Sequence, residues 1–131
     1  MKTDLEKVEK AIKKSWCLDT CHPEDRNMWP KKYPSYGHCG ITALLIQEIY
    51  GGDLACNKKL NHVWNILKDG KEYDLCRDNY LINKEVKAEK YINRYYMLND
   101  KEAKKFKRKQ RYNLLKRLVL KELNLKDFNK M

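Results

Sequence analysis

The feature that most constrains this chain is one stretch, Tyr36 to Gly52, where a loop turns into a nearly all-apolar helix. Pro34, Ser35 and Gly37 are loop residues, and the helical pattern begins at Cys39. Ile41, Leu44, Leu45, Glu48 and Ile49 fall at i, i+3, i+4, i+7 and i+8, and only Glu48 is polar. Gly51-Gly52 ends the helix, because glycine accepts the left-handed conformation past a helix C-terminus. A helix of this composition has to be buried, so the rest of the chain must cover it. Cys39 then sits in the first turn, where unpaired N–H groups and the helix dipole favour a thiolate. A cysteine placed there is a candidate nucleophile, and His62 is the only histidine downstream of it.

The chain of 131 residues is read as a single domain, 1–131, large enough for its own core. No apolar run approaches the ~20 residues of a membrane span. The charged, amphipathic N-terminus is not a signal peptide, and a cytoplasmic protein without a membrane partner is expected. Five cysteines is an odd number, and reduced thiols are the default in the cytosol. The formal charge of +11 is compatible with a polyanionic partner. The excess of lysine over arginine, with abundant asparagine, isoleucine and tyrosine, is equally the mark of a low-GC genome, and nucleic acid is not the expected partner.

Thr3-Asp4-Leu5-Glu6 is a capping-box signal. Leu5, Val8, Ile12 and Trp16 follow as one apolar stripe on a helix of about three turns. Pro23 and Pro30, with Asp19, Asp25 and Asn27, predict irregular structure over residues 19–37. So long a segment is uncommon unless it covers a site, and Trp16, Trp29, Tyr33 and Tyr36 give it aromatic surface to pack. Cys17, Cys21 and His22, with His38, invite a metal reading. Cys-x3-Cys-His is not a usual zinc spacing and no second ligand pair follows, so neither a metal nor another cofactor is expected.

Two strand-like runs, Leu60–Leu67 and Lys71–Cys76, flank Lys68-Asp69-Gly70, a hairpin signal. The register decides the chemistry. A two-residue Asp69-Gly70 loop pairs Lys68 with Lys71 and puts His62 and Asp74 on opposite faces. A three-residue loop with Gly70 in the left-handed bulge position pairs Leu67 with Lys71. Trp64 then faces Asp74, His62 faces Cys76, and His62 and Asp74 become diagonal neighbours within side-chain reach. Both loops are permitted, and only the second assembles Cys39, His62 and Asp74. Each of the three also has a plainer role, as a core thiol, a sheet histidine and a turn cap. Together they make a known arrangement for thiol catalysis, with His62 as base and Asp74 as its orienter.

Asn83 to Leu98 has no clean period and is expected to be irregular with a short helix or strand. Asn99-Asp100-Lys101-Glu102 is a second capping signal. Ala103, Phe106, Gln110, Leu114 and Leu118, with Leu115 and Val119 beside them, predict one long amphipathic helix to about Leu123. Its first half is strongly basic, from Lys104 to Arg111, and is read as a solvated face rather than a nucleic-acid contact.

Several blocks resemble the YunG-like family of small bacterial proteins. They are Lys14-Ser15-Trp16 with Asp19-Thr20; Pro34-Ser35-Tyr36-Gly37 before Cys39; Thr42 to Gln47 with Gly51-Gly52; His62-Val63-Trp64-Asn65 with Asp69-Gly70; Asp74-Leu75 with Arg77; and Arg111 to Leu115 with Arg117-Leu118-Val119. They run in the same order along most of the chain. The chain has His38 where that family commonly has glutamine, and Cys76 where threonine is usual. The cysteine and histidine blocks are also similar to the core of transglutaminase-like and papain-like thiol enzymes, which implies a helix-borne cysteine beside an antiparallel sheet bearing histidine and a carboxylate or amide.

The expected fold is therefore α+β: a small antiparallel sheet packed with a central Cys39-bearing helix, an N-terminal helix and a long C-terminal helix. The leading functional expectation is a Cys39–His62–Asp74 thiol hydrolase or acyl transferase acting on a small-molecule or peptide substrate. The Cys39 N–H is one oxyanion donor, His38 a candidate for the second, and Trp29 and Trp64 are candidate cleft walls. A catalytically inactive binding or regulatory protein on the same scaffold is the second reading, and a nucleic-acid-associated protein the third. Substrate and oligomeric state are left open.

Overall fold

The computed structural model describes residues 2–29, 34–77 and 86–129. Helix α1 spans Lys2–Ser15, a 3-10 turn covers Pro23–Asp25, and helix α2 spans Cys39–Tyr50. Strands β1 (Asp53–Asn57), β2 (His62–Ile66), β3 (Glu72–Tyr73) and β4 (Lys90–Ile92) follow, then helices α3 (Arg94–Asn99), α4 (Lys101–Lys105) and α5 (Arg108–Glu122). The fold is α+β, with one four-stranded antiparallel sheet ordered β3-β2-β1-β4. No helix among the described residues is long and apolar enough to cross a membrane.

Helix α2 is buried even more completely than its period requires: all six residues from Ile41 to Ile46 are buried. One side packs on the sheet through Leu54, Val63 and Leu67, and another on α5 through Leu115 and Val119. Asn65, buried on the helix-facing side of β2, donates its side-chain N–H to the Ala43 carbonyl at 2.9 Å. Val8, Ile12 and Trp16 of the predicted α1 stripe are buried, and the Trp16 indole N–H donates to Thr42 Oγ1 at 3.0 Å, pinning the end of α1 to α2. Helix α1 already begins at Lys2, so Thr3 lies inside it rather than at the non-helical cap position.

The β2–β3 hairpin adopts the three-residue loop. Asn65 pairs with Tyr73 and Ile66 with Glu72, and the Leu67 N–H donates to the Lys71 carbonyl at 2.9 Å. Gly70 has φ +86°, a left-handed position that only glycine adopts without steric cost. Asp69 Oδ1 accepts from the Lys71 N–H and holds the turn.

The predicted long C-terminal helix is broken. Helix α4 ends at Lys105, Phe106 is its C-cap, and Lys107 has φ +55° before α5 begins. The break lets the Phe106 ring pack against His22, with centroids 4.4 Å apart. It also resets the helical phase. The buried stripe of α5 is Arg111, Tyr112, Leu115 and Val119, while Leu114 and Leu118 are only partly buried and Gln110 is exposed. Strand β1 and its turn into β2, with Asn61 at φ +50°, were not anticipated. Between 19 and 37 the described residues are turns and the one 3-10 turn, as expected. Pro30, Tyr33 and Asn83 lie outside the described residues.

Candidate active site

A turn that only glycine allows delivers Cys39 to its place. Gly37 has φ +77°, and a β-carbon there would lie 2.6 Å from Cys21 Sγ. The chain then enters α2 at Cys39 with His38 as N-cap, and no side chain caps the helix. The first N–H groups of α2 have no intrahelical partner, so Cys39 sits at an open, electropositive helix start.

His62 begins β2 and is buried at 6 % exposure. Its Nε2 lies 2.6 Å from Asp74 Oδ2. Cys39 lies close enough to the imidazole to influence its protonation and lines the same cleft as His62. Burial alone lowers the basicity of this imidazole. The hydrogen bond to Asp74 first, and then the interaction with Cys39, outweigh it and raise His62 to about 9. Asp74 combines two roles that the sequence offered as alternatives. Oδ2 meets His62, while Oδ1 accepts the Cys76 N–H at 3.1 Å and caps the turn after β3. Trp64 stacks on His62, with centroids 5.7 Å apart and planes 22° from parallel, and its indole N–H donates to Glu72 Oε1 at 3.0 Å. The imidazole is thus fixed at its edge by Asp74 and on its face by Trp64.

Cys39 and His62 line one cleft of about 480 Å³, together with Cys76, Asn61, Met97 and Arg111. The three aromatic candidates for substrate contact fall elsewhere. Trp64 is 3 % exposed and backs His62 instead of walling the cleft. The Trp29 indole N–H donates to the Pro34 carbonyl at 2.7 Å, and its ring meets His38, so it packs the covering loop. His38 is fully buried with both ring nitrogens engaged, which removes it as an oxyanion donor. Its Nδ1 lies 3.0 Å from the Tyr36 carbonyl, and its Nε2 lies 2.8 Å from the Thr20 hydroxyl and 3.3 Å from the Cys17 carbonyl. Burial lowers His38 to about 4 against the raising effect of its backbone hydrogen bonds, so the ring is neutral.

The Cys17, Cys21 and His22 cluster is engaged in the same covering loop. Burial first, and then the charge of Asp25, push the Cys21 thiol up to about 11, and its Sγ donates to the Tyr36 carbonyl. His22 Nδ1 accepts the Glu24 N–H.

Arg111 is a site residue that the sequence reading missed. Placed there on a solvated face, it is 6 % exposed and lines the cleft. Its Nε donates to the Phe106 carbonyl at 2.9 Å and one Nη reaches the Thr20 carbonyl at 3.4 Å. The available signal was its position four and eight residues before Leu115 and Val119, on the apolar stripe itself.

Comparison with known proteins supports the family resemblance. The family model described as "YunG protein" matches residues 4–124. The chain belongs to the YunG family. It is 30 % identical over 78 residues to the Bacillus subtilis (strain 168) protein whose name reads "Uncharacterized protein YunG". That match covers 58 % of this chain and 63 % of the relative, so the chain spans less than two thirds of the curated protein it matches. No solved structure gives a significant match.

Proposed function

We propose that the cleft is the active site of a thiol hydrolase or acyl transferase, with Cys39 as nucleophile, His62 as its proton partner and Asp74 as the residue that orients His62. The observation that carries this reading is the single imidazole hydrogen-bonded to a carboxylate and set in one cleft with a helix-start thiol that acts on its protonation. Chain order supports it further. A helix-start cysteine, a strand histidine and a carboxylate after the next strand follow the pattern of papain-like and transglutaminase-like cores.

In the proposed reaction Cys39 Sγ attacks an acyl carbon while the thiol proton rests on His62. Negative charge gathers on the carbonyl oxygen, beside the N–H of Cys39 at the open start of α2. The bond from the acyl carbon to the leaving nitrogen, oxygen or sulfur then breaks, and His62 hands its proton to the leaving group. A water or a second nucleophile attacks the resulting thioester, gives its proton to His62, and frees the acyl product as the thiol returns. The substrate is a small molecule or peptide that fits a cleft of this size.

The pH dependence of Cys39 alkylation by iodoacetamide, read by peptide mass spectrometry, tests this reading. Cys39 is expected to label faster than the other four cysteines well below pH 8, and His62→Ala to abolish that advantage. A Cys39 that is inert, or labels no faster than the others, sinks the enzyme and leaves a binding protein on the same scaffold.

A further inference from the structure

Arg111 is a buried cation without a direct ion-pair partner among the described residues. It is more than nine-tenths buried, and its two hydrogen bonds go to backbone carbonyls. Among the described residues no carboxylate lies within ion-pair distance of it. Glu48, Asp100 and Glu102 are engaged by Arg94, Lys116 and Arg108. The leading charges that act on Arg111 are those of Arg108, Cys21, Arg26 and Cys39. Burying a guanidinium without an anion is costly, so this arrangement suits a site completed by an anion from outside. The neighbouring start of α2 adds to the same field: its first-turn residues Cys39, Gly40 and Ile41 line the cleft, with no side-chain cap and no acidic residue in that turn.

We infer that Arg111 and the open first turn of α2 form a carboxylate-binding subsite beside Cys39, so that the acyl substrate carries a carboxylate near its reacting carbonyl. The inference deepens the thiol-enzyme reading and rests on it. A planar carboxylate matches the edge of a guanidinium. Glu24, Asp25 and Glu102 also line the cleft, and they oppose a more highly charged group such as a phosphate. Arg111 is here a binding residue for the substrate's anionic group and takes no part in bond making.

Two alkylating reagents separate the subsite from the nucleophile. Iodoacetate and iodoacetamide both form an S–C bond to the same thiolate and expel iodide, so the thiolate fraction cancels in the ratio of their rates. The neutral thiol 2-mercaptoethanol supplies the reference ratio under the same conditions. At Cys39 the iodoacetate-to-iodoacetamide ratio is expected to exceed that reference by about tenfold or more. Arg111→Gln is expected to return the ratio to the reference, and acetate to slow iodoacetamide labelling of the wild type. A Cys39 fast with both reagents but at the reference ratio overturns the subsite alone. So does a ratio unchanged in Arg111→Gln while both rates fall, which makes Arg111 a support for the thiolate. If Arg111→Gln does not fold, the wild-type ratio and the acetate protection decide. A Cys39 slow with both reagents overturns the thiol-enzyme reading, and the subsite with it.

Discussion

Asp74 uses both carboxylate oxygens as acceptors, one for His62 Nε2 and one for the Cys76 N–H. An amide has only one accepting oxygen, so in Asp74→Asn either one of these partners is lost or His62 Nε2 has to accept where it donated. In either orientation it also removes the charge that faces the imidazole. The charged form of His62 is held up to about 9 against the opposing effect of burial, with the Asp74 hydrogen bond the leading raising influence. The His62 ring protons are therefore expected to titrate near 9 in the wild type and at least one unit lower in Asp74→Asn. NMR can follow them, since the chain has three histidines and the His62 signal is the one missing from His62→Ala. A midpoint that stays near 9 in the variant would show that Asp74 does not set the protonation of His62. The same substitution is expected to slow Cys39 alkylation at neutral pH.

The α4–α5 junction shows how elements set the site. Lys107 holds φ +55°, a conformation that strains any residue with a β-carbon, and its side chain is exposed. Lys107→Gly is expected to stabilise the protein by about 0.5–1 kcal/mol, the relief of that strain less the extra freedom glycine brings to the unfolded chain. A urea midpoint lower in the variant than in the wild type would contradict this. The junction also explains what could be read in advance. The β2–β3 register was legible because Gly70 at the third loop position favours one of two loops, and that register carries His62 and Asp74 to one face. The Cys39 helix was legible because Ile41, Leu44, Leu45 and Ile49 recur at helical spacing and Gly51-Gly52 ends the run. The phase of α5 was not legible. A left-handed lysine at a helix break has no sequence signature, and extrapolating one period through it put Arg111 on the wrong face. His38 misled for a related reason: adjacency to Cys39 along the chain says nothing about direction, and the Thr20 hydroxyl and Tyr36 carbonyl draw it into the core. Strand β1 is short, follows directly on Gly51-Gly52, and pairs across a four-residue turn without a glycine, so neither period nor punctuation announced it.

For the whole molecule, two buried histidines tie folding to pH in opposite directions. His62 binds its proton more tightly folded than unfolded, about 9 against 6.5. Between these values the folded state holds more protons, so stability falls as pH rises. The contribution of His62 is complete below 6.5 and lost by about 9. His38 is held down to about 4. Between 4 and 6.5 the unfolded state holds more protons, so stability rises with pH, and the contribution of a neutral His38 is complete above 6.5 and lost toward 4. Each shift corresponds to roughly 3 kcal/mol at its full extent. Both rings are nearly sealed from solvent, His62 at 6 % and His38 at 0 % exposure, so screening does little to reduce this. The two windows meet near 6.5, which places the stability maximum where the proposed active site holds a charged His62 over a neutral His38. Urea unfolding from pH 4 to pH 9.5 separates the two limbs. The stability gap between wild type and His62→Gln is expected to be widest below pH 6.5 and to shrink toward pH 9. The gap for His38→Gln is expected to be widest above pH 6.5 and to shrink toward pH 4. If the His62 gap instead widens between pH 6.5 and 9, the imidazole is not held charged in the folded protein. The ion pair on which the proposed chemistry depends is then absent, even though its three residues remain side by side.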